Sequence, residues 1–187
     1  MVENSARKNA IRAHMAKTGK TYTDAARDLA RPHITLEGFN VPAQDVLDLA
    51  RTHARSNGHH EVGTEHLLLA LLDEEAPVEL AFDILDDLGV TTEAVKSALP
   101  NPQRPTPHEL PWSDHTAQVL AKGAARQGDR TGHGYIGPEH ILLALLALPT
   151  CRAHQILTDL GLTYKTVKTE VVDRLNAMGV VSRYNQG

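Results

Sequence analysis

The sequence has a single cysteine, Cys151, in 187 residues, so no internal disulfide can form. A reducing compartment suits such a chain, and we expect a cytoplasmic protein. Aromatic residues are scarce at 4%, with two Phe, four Tyr and one Trp. That shortage argues against a β-sandwich or barrel, whose strands draw on aromatic and β-branched side chains. Long apolar runs are missing as well. Leu67–Leu72 and Ile141–Leu148 are the longest, well short of the roughly 20 residues that cross a bilayer. Residues 1–16 are polar and charged with no apolar stretch, so no secretory signal is expected. The chain also lacks a phosphate-binding G-x-x-x-x-G-K-[ST], a nucleophile elbow G-x-S-x-G, a zinc-protease H-E-x-x-H and a C-x-x-C pair, which lowers the expectation of an enzyme.

What remains is rich in Ala and Leu, both strong helix formers. Hydrophobic residues make up 41% and charged residues 22%, the balance of a globular chain that can bury a core without metal or disulfide staples. The net charge is −4, but unevenly spread: residues 1–31 hold seven Lys/Arg against three Asp/Glu, and the rest holds twelve against twenty. Neither membrane nor nucleic acid is an expected partner.

An internal repeat organises the sequence. Gly58-His59-His60-Glu61-Val62-Gly63-Thr64-Glu65-His66 followed by Leu67–Leu72 returns as Gly132-His133-Gly134-Tyr135-Ile136-Gly137-Pro138-Glu139-His140 followed by Ile141–Leu146, at an offset of 74. Upstream, Val46-Leu47 matches Val119-Leu120 at an offset of 73; downstream, Ala81, Ile84, Leu85, Leu88 and Gly89 match Ala153, Ile156, Leu157, Leu160 and Gly161 at an offset of 72. The offset changes are expected in loops between the matched blocks.

Each unit reads as four helices, so the fold class is all-α. In the first unit, Val46, Leu47, Ala50 and Ala54 share one face of a helix from about Pro42 to Ser56. Asn57-Gly58 ends it, Gly being suited to the left-handed position after a helix. The second helix begins near Thr64. Its mate position is Pro138, favoured at the first helical residue. The Leu-rich stretch is apolar nearly all round and should be the buried centre of its unit. Further helices are expected near Val78–Leu88 and from Thr91 to before Pro100, then near 113–128, 138–148, 151–160 and 163–178. The organisation is therefore a basic N-terminal tail, 1–35, partly helical or disordered; a first unit, 36–99; a proline-rich linker, 100–112; a second unit, 113–178; and a C-terminal tail, 179–187. In the tail, Arg7–Lys17 and Thr23–Arg31 suggest two short helices, marginal unless docked.

The doubled G-H-x-x-[VI]-G-x-E-H-[LI]-L-L-A-L-L, followed by A-x-x-I-L-x-x-L-G, resembles the Clp N-terminal domain, and within it the ClpC type. The resemblance covers about residues 36–178. It implies two tandem four-helix repeats related by a pseudo-twofold axis. In the family this domain caps unfoldases that continue into ATPase modules. The present chain stops at Gly187, so the expectation is a free-standing Clp N-domain, similar to short ClpC-like proteins of actinobacteria and to plant accessory subunits of Clp protease. Such a protein would bind rather than catalyse, and no cofactor is expected.

The resemblance also implies site residues. ClpC domains recognise phosphoarginine, one pocket per repeat, with the Glu of G-T-E-H on the guanidinium group. Here these are Glu65 and Glu139. Donors near the start of each repeat's first helix take the phosphate, which points to Asn40 and Ser113, with Thr64 in the motif itself. The phosphate side departs from the family: Phe39-Asn40 and Trp112-Ser113 replace F-T, Pro42 and His115 replace a basic residue, and Pro138 is the mate of Thr64. The chemistry is sound, since a carboxylate fits the guanidinium fork and a helix N-terminus offers N–H groups to an anion. A carboxylate in a first turn also stabilises the helix dipole without any ligand. Actinobacterial ClpC domains bind cyclic peptide antibiotics such as cyclomarin in an apolar groove, whose aligned positions are Leu36, Phe39, Leu47, Trp112 and Ala117, with Ala117 replacing a lysine. Phe39 and Trp112 are equally plausible as lids on the core.

His59, His60, His66, His133 and His140 invite a metal reading. Gly63 and the helix start separate the first three, so the spacing is not that of ligands on one helix face, and no metal is expected. Cys151 has no evident base, so no catalytic thiol is expected. The leading expectation is a module that binds peptides, unfolded or marked proteins, or cyclic peptides, the last as a decoy that shields ClpC. The alternative is an accessory subunit docking on ClpC or the Clp protease core, with residues 1–31 as the contact arm.

Overall fold

The computed structural model describes residues 2–19, 21–30, 37–76, 78–102 and 110–179. Two compact units divide the chain, Met1–His33 and Ile34–Gly187.

The first unit is a pair of packed helices, α1 (Val2–Thr18) and α2 (Tyr22–Ala30). Gly19 ends α1 at φ +70°, a left-handed conformation that glycine adopts without a Cβ clash. Thr21 then caps α2, its hydroxyl accepting from Asp24 N–H at 3.2 Å. Ile11 and Ala25 are buried.

The second unit opens with α3 (Val41–Ser56), α4 (Thr64–Leu71), α5 (Glu79–Asp87) and α6 (Thr92–Ser97). Asn40 caps α3 by accepting from Ala43 N–H at 3.0 Å, and Val46, Leu47, Ala50 and Ala54 form the buried stripe. All eight residues of α4 are buried. Thr91 caps α6 in the same way as Asn40 caps α3. The second half runs through α7 (Asp114–Gln118), a π-helical turn over Val119–Ala124, α8 (Ala125–Thr131), α9 (Pro138–Leu146), α10 (Arg152–Asp159) and α11 (Tyr164–Ala177). Pro138 sits at the first position of α9, where its missing N–H is harmless.

The π-helical turn corrects one expectation. Between Val46 and Gly58 the first repeat has one residue fewer than the second has between Val119 and Gly132. The extra residue is absorbed inside the helix rather than in a loop. A π turn lodges one more residue per turn and leaves the buried faces before and after it in phase. Val119, Leu120 and Ala124 accordingly all stay buried.

The two repeats exchange parts. Asn40 N–H donates to the Ile136 carbonyl at 3.0 Å and Ile136 N–H to the Gly38 carbonyl at 2.6 Å. In the mirrored pairing, Ser113 N–H donates to the Val62 carbonyl at 3.0 Å and Val62 N–H to the Pro111 carbonyl at 2.8 Å. The entry segment of each repeat therefore pairs with the motif loop of the other. The helices follow the same rule: α4 packs on α10, and α9 packs on α5. Leu67, Leu68, Leu69 and Leu71 of α4 and Ile141, Leu142, Leu143 and Leu145 of α9 are all fully buried in the shared core. Burying a Leu or Ile side chain stabilises by about 1.5–3 kcal/mol, so these two central helices hold the repeats together.

Candidate functional site

Glu65 and Glu139 occupy the first turns of α4 and α9, and both are buried, at 8% and 6% exposure. Each side chain folds back over the preceding glycine. A Cβ at Gly63 or Gly137 would meet the carboxylate of Glu65 or Glu139 as it is placed, so a larger residue there would have to displace that side chain. Burial pushes both carboxyl groups above their ordinary range. Each is opposed by a hydrogen bond from its own backbone N–H; Glu65 alone also feels His59 and Arg152.

The motif histidines cap these helices. Gly63 and Gly137 have no side chain to offer, and their N–H groups donate to His66 Nδ1 and His140 Nδ1, both at 2.8 Å. That bond sets the tautomer, leaving the proton on Nε2. His66 Nε2 then donates to His59 Nδ1 at 2.6 Å, and His59 Nε2 donates to the Pro100 carbonyl at 2.9 Å. In the second repeat His140 Nε2 meets the Thr131 hydroxyl at 2.9 Å, which passes its own proton to the Gly128 carbonyl at 2.8 Å. Desolvation lowers the pKa of both His66 and His140 to about 3, so both are neutral. The 3.3 Å approach of Glu139 Oε1 to His140 Nδ1 is therefore not an ion pair.

The spacing of the histidines is not that of ligands on one helix face, yet it does not keep them apart. The motif loop folds over the helix start. Ligand-type atoms of His59, Glu65 and His66, and of His133, Glu139 and His140, come within 4.8 Å of one another. His60 is exposed and belongs to neither cluster. Gly132–Gly137 has the G-x-G-x-x-G spacing of a dinucleotide fingerprint, but it joins two helices instead of following a strand, and so does not carry that function.

The exchange of entry segments brings Asn40 to Glu139. Both line a cleft of about 490 Å³ between the starts of α3, α5 and α9 and the end of α11. Pro42, Val78, Leu80, Ala81, Pro138, Ala177 and Met178 give it apolar walls; Glu79, Asp83 and Arg174 complete it. Arg174 is bound to Asp87 at 2.5 Å and lies 3.7 Å from Glu170. The cleft thus carries three carboxylates and one already paired guanidinium. Arg174, Glu79 and Asp83 were not legible as site residues, because they come from helices outside the repeated motif.

The remaining expected residues are engaged elsewhere. Thr64 Oγ1 accepts from Ala153 N–H at 3.1 Å, and beside it Arg152 donates to the Ala98 carbonyl at 2.6 Å. Ser113 is buried and caps α7, accepting from Thr116 N–H at 3.2 Å. At the start of α3, Pro42 has no N–H, Ala43 N–H is taken by Asn40 Oδ1, and Gln44 N–H by the Asn40 carbonyl. Of the apolar groove positions, Leu47 and Ala117 have no exposed surface, Phe39 is buried, and half-buried Trp112 lies under the Arg51 guanidinium at 4.4 Å. Leu47 and Ala117 are core residues and offer no contact surface in this conformation. Leu36 lies outside the described residues. Cys151 is buried, its Sγ donating to the Leu145 carbonyl at 3.4 Å, and burial raises its pKa.

The sequence model of the Clp repeat (R) N-terminal domain matches residues 38–111 and again 111–187. Among curated relatives, the chain is 31% identical over 153 residues to an "ATP-dependent Clp protease ATP-binding subunit ClpA homolog" of Guillardia theta, covering 80% of this chain and 18% of that protein. It is 32% identical over 147 residues to the chloroplastic "Chaperone protein ClpC" of Pisum sativum, covering 75% and 15%. The chain spans less than a fifth of these relatives. Among solved structures, the Hsp104 N-terminal domain from Candida albicans superimposes with a TM-score of 0.62 at 22% identity, covering 79% of this chain and 95% of that one. The ClpV N-domain in complex with VipB peptide gives a TM-score of 0.59 at 19% identity, covering 74% and 88%. Two tandem family matches, on a fold of two four-helix repeats that exchange their entry segments, establish that the chain belongs to the Clp repeat N-terminal domain family.

Proposed function

We propose that this chain is a non-catalytic peptide-binding module whose cleft beside Glu139 takes a cationic side chain, arginine first, from an unfolded or marked protein. The observation that carries the reading is the buried Glu139 carboxylate on the wall of a cleft that also presents Glu79 and Asp83, while its own cation, Arg174, is already paired. A guanidinium meets a carboxylate with two parallel hydrogen bonds, and its aliphatic stem packs on apolar walls such as Leu80 and Met178. The ClpV N-domain captured with a peptide lends the reading support from a relative of the same fold.

Phosphoarginine is the marked form of this ligand that the ClpC resemblance adds, with Asn40 as the donor beside Glu139, and with its counterpart Ser113 and the motif residue Thr64 near Glu65. The commitments of Ala43 and Gln44 N–H, of Thr64 and of Ser113 favour the guanidinium end of the ligand over its phosphate. Capture of ClpC-directed cyclic peptides, as a decoy in the cytoplasm, is the further form of the same binding role.

Calorimetry on the full chain with matched peptides carrying arginine, phosphoarginine or the neutral isostere citrulline tests the reading. Arginine or phosphoarginine should bind, citrulline should bind at least about tenfold more weakly, and Glu139→Gln should abolish the difference. Equal affinity for all three peptides would overturn it. Cyclomarin, with Trp112→Ala as control, tests the cyclic-peptide form. A second reading, an accessory subunit docking on ClpC or the Clp protease core, is favoured by the compact basic unit of α1 and α2, which exposes Tyr22 and Leu29. Deleting residues 1–33 would abolish co-purification with the protease under that reading and leave peptide binding intact under the first.

A further inference from the structure

We propose that the second repeat carries a transition-metal site, of the zinc or nickel class, formed by His133 and Glu139 with His140 beside them. Electron-pair donors converge there. Glu139 Oε1 lies 3.3 Å from His140 Nδ1, whose lone pair already accepts Gly137 N–H, and 3.8 Å from His133 Nδ1. Facing acceptors at this range repel unless a cation or a proton comes between them.

His133 supplies an independent observation. Its side chain is 6% exposed, and among the described residues neither ring nitrogen has a hydrogen-bond partner. A buried imidazole left this way is costly, and a metal on one nitrogen answers it. Tyr135, itself 40% exposed, stacks on the ring at 5.1 Å and 20° and covers one face of the imidazole. Neutral imidazole and carboxylate are the ligand set of Zn²⁺ and Ni²⁺; a tetrahedral zinc with bonds near 2.0 Å sets its ligand atoms about 3.3 Å apart, and the 3.8 Å from Glu139 to His133 closes to that by a small turn of either side chain. His133 and Glu139 would be the two firm ligands. His140 joins only by giving up Gly137 N–H, and water completes the shell.

The first repeat is an internal control. His59, Glu65 and His66 are the same residue types at the same spacing. Yet all four ring nitrogens of His59 and His66 are held in hydrogen bonds, to Gly63, to each other and to Pro100. A metal there would have to break that chain. One metal per chain is therefore expected, not two. The inference does not rest on the peptide reading, because metal binding is measured directly.

The test is calorimetry of the full chain with ZnCl₂ and NiCl₂ in chelator-free buffer. One ion per chain should bind, with affinity falling at least about tenfold in His133→Phe, which keeps a ring against Tyr135, and in Glu139→Gln. His60→Ala, at an exposed residue outside both clusters, should bind as the parent does. No saturable binding, two equal sites, or undiminished binding in a folded His133→Phe would overturn the proposal. A readout that needs no variant is NMR of the histidine ring protons: substoichiometric Ni²⁺ should broaden the His133 signals first. Broadening confined to other histidines would overturn it.

Discussion

The Thr131 hydroxyl lies 2.9 Å from His140 Nε2 and takes the proton that, in the first repeat, His66 gives to His59. That replacement separates the two repeats chemically. With Thr131 in the relay, His133 is released from the role of its mate His59, and its buried ring nitrogens have no hydrogen-bond partner among the described residues.

Thr131→Val should leave the buried His140 Nε2–H unsatisfied at nearly unchanged volume. We expect a loss of about 1–3 kcal/mol, read as a lower urea midpoint with an unchanged m-value. Thr131→Ser, which restores the hydroxyl, should recover most of it.

Acid should unfold the protein through the two capping histidines. His66 and His140 have folded pKa values near 3 against 6.5 for the free side chain. Below pH 6.5 the unfolded chain binds protons that the folded chain refuses, so stability falls as pH drops from there toward 3. Buried Glu65 and Glu139, raised by burial, act with the opposite sign: they destabilise the folded state above their raised values and cease to do so as they protonate. Urea melts at pH 8, 6.5 and 5 separate these effects. The parent should lose stability on the order of a few kcal/mol across that range, and His140→Gln, which can still accept Gly137 N–H, should show a shallower decline.

Gly123 lies in the π-helical turn, where a Cβ would stand 2.9 Å from Ala144 Cβ. In an open helix, replacing Gly by Ala stabilises by roughly 1 kcal/mol. Here Gly123→Val should instead destabilise by about 1–3 kcal/mol through overpacking, and the double change Gly123→Ala with Ala144→Gly should recover stability relative to Gly123→Ala alone. Additive effects in that cycle would show that the contact is not the cause.

Leu143→Ala, at the centre of α9, should cost about 2–5 kcal/mol, because Leu143 has no exposed surface and its core is shared by both repeats. Denaturation should remain one transition, with both repeats lost together. Two separated transitions would show that the repeats fold independently.

The all-α class and the doubled unit were legible because their signals are local. The stripe Val46, Leu47, Ala50 and Ala54 lies within three turns, and Asn40, Thr91 and Thr163 cap helices through bonds that reach three residues ahead. The apolar runs told correctly of buried central helices, since α4 and α9 are buried all round. The π turn was not legible as such: an extra residue between two matched blocks looks the same in a loop and in a helix. The site was legible only in half. Glu65 and Glu139 stand out by repetition, but the spacing of the histidines gave no hint of which ring nitrogens would be occupied.

The helices, their caps and the twofold repetition follow from the order of residues alone, because 3.6-residue periodicity and capping bonds are settled within a few residues. Packing, by contrast, makes the entry segment of one repeat pair with the loop of the other, which sets Asn40 and Arg174 around the cleft of Glu139. Packing also makes Thr131 rather than His133 the partner of His140. Such choices depend on which groups packing brings within hydrogen-bond reach across the exchanged repeats, a distance in sequence over which no local pattern carries information.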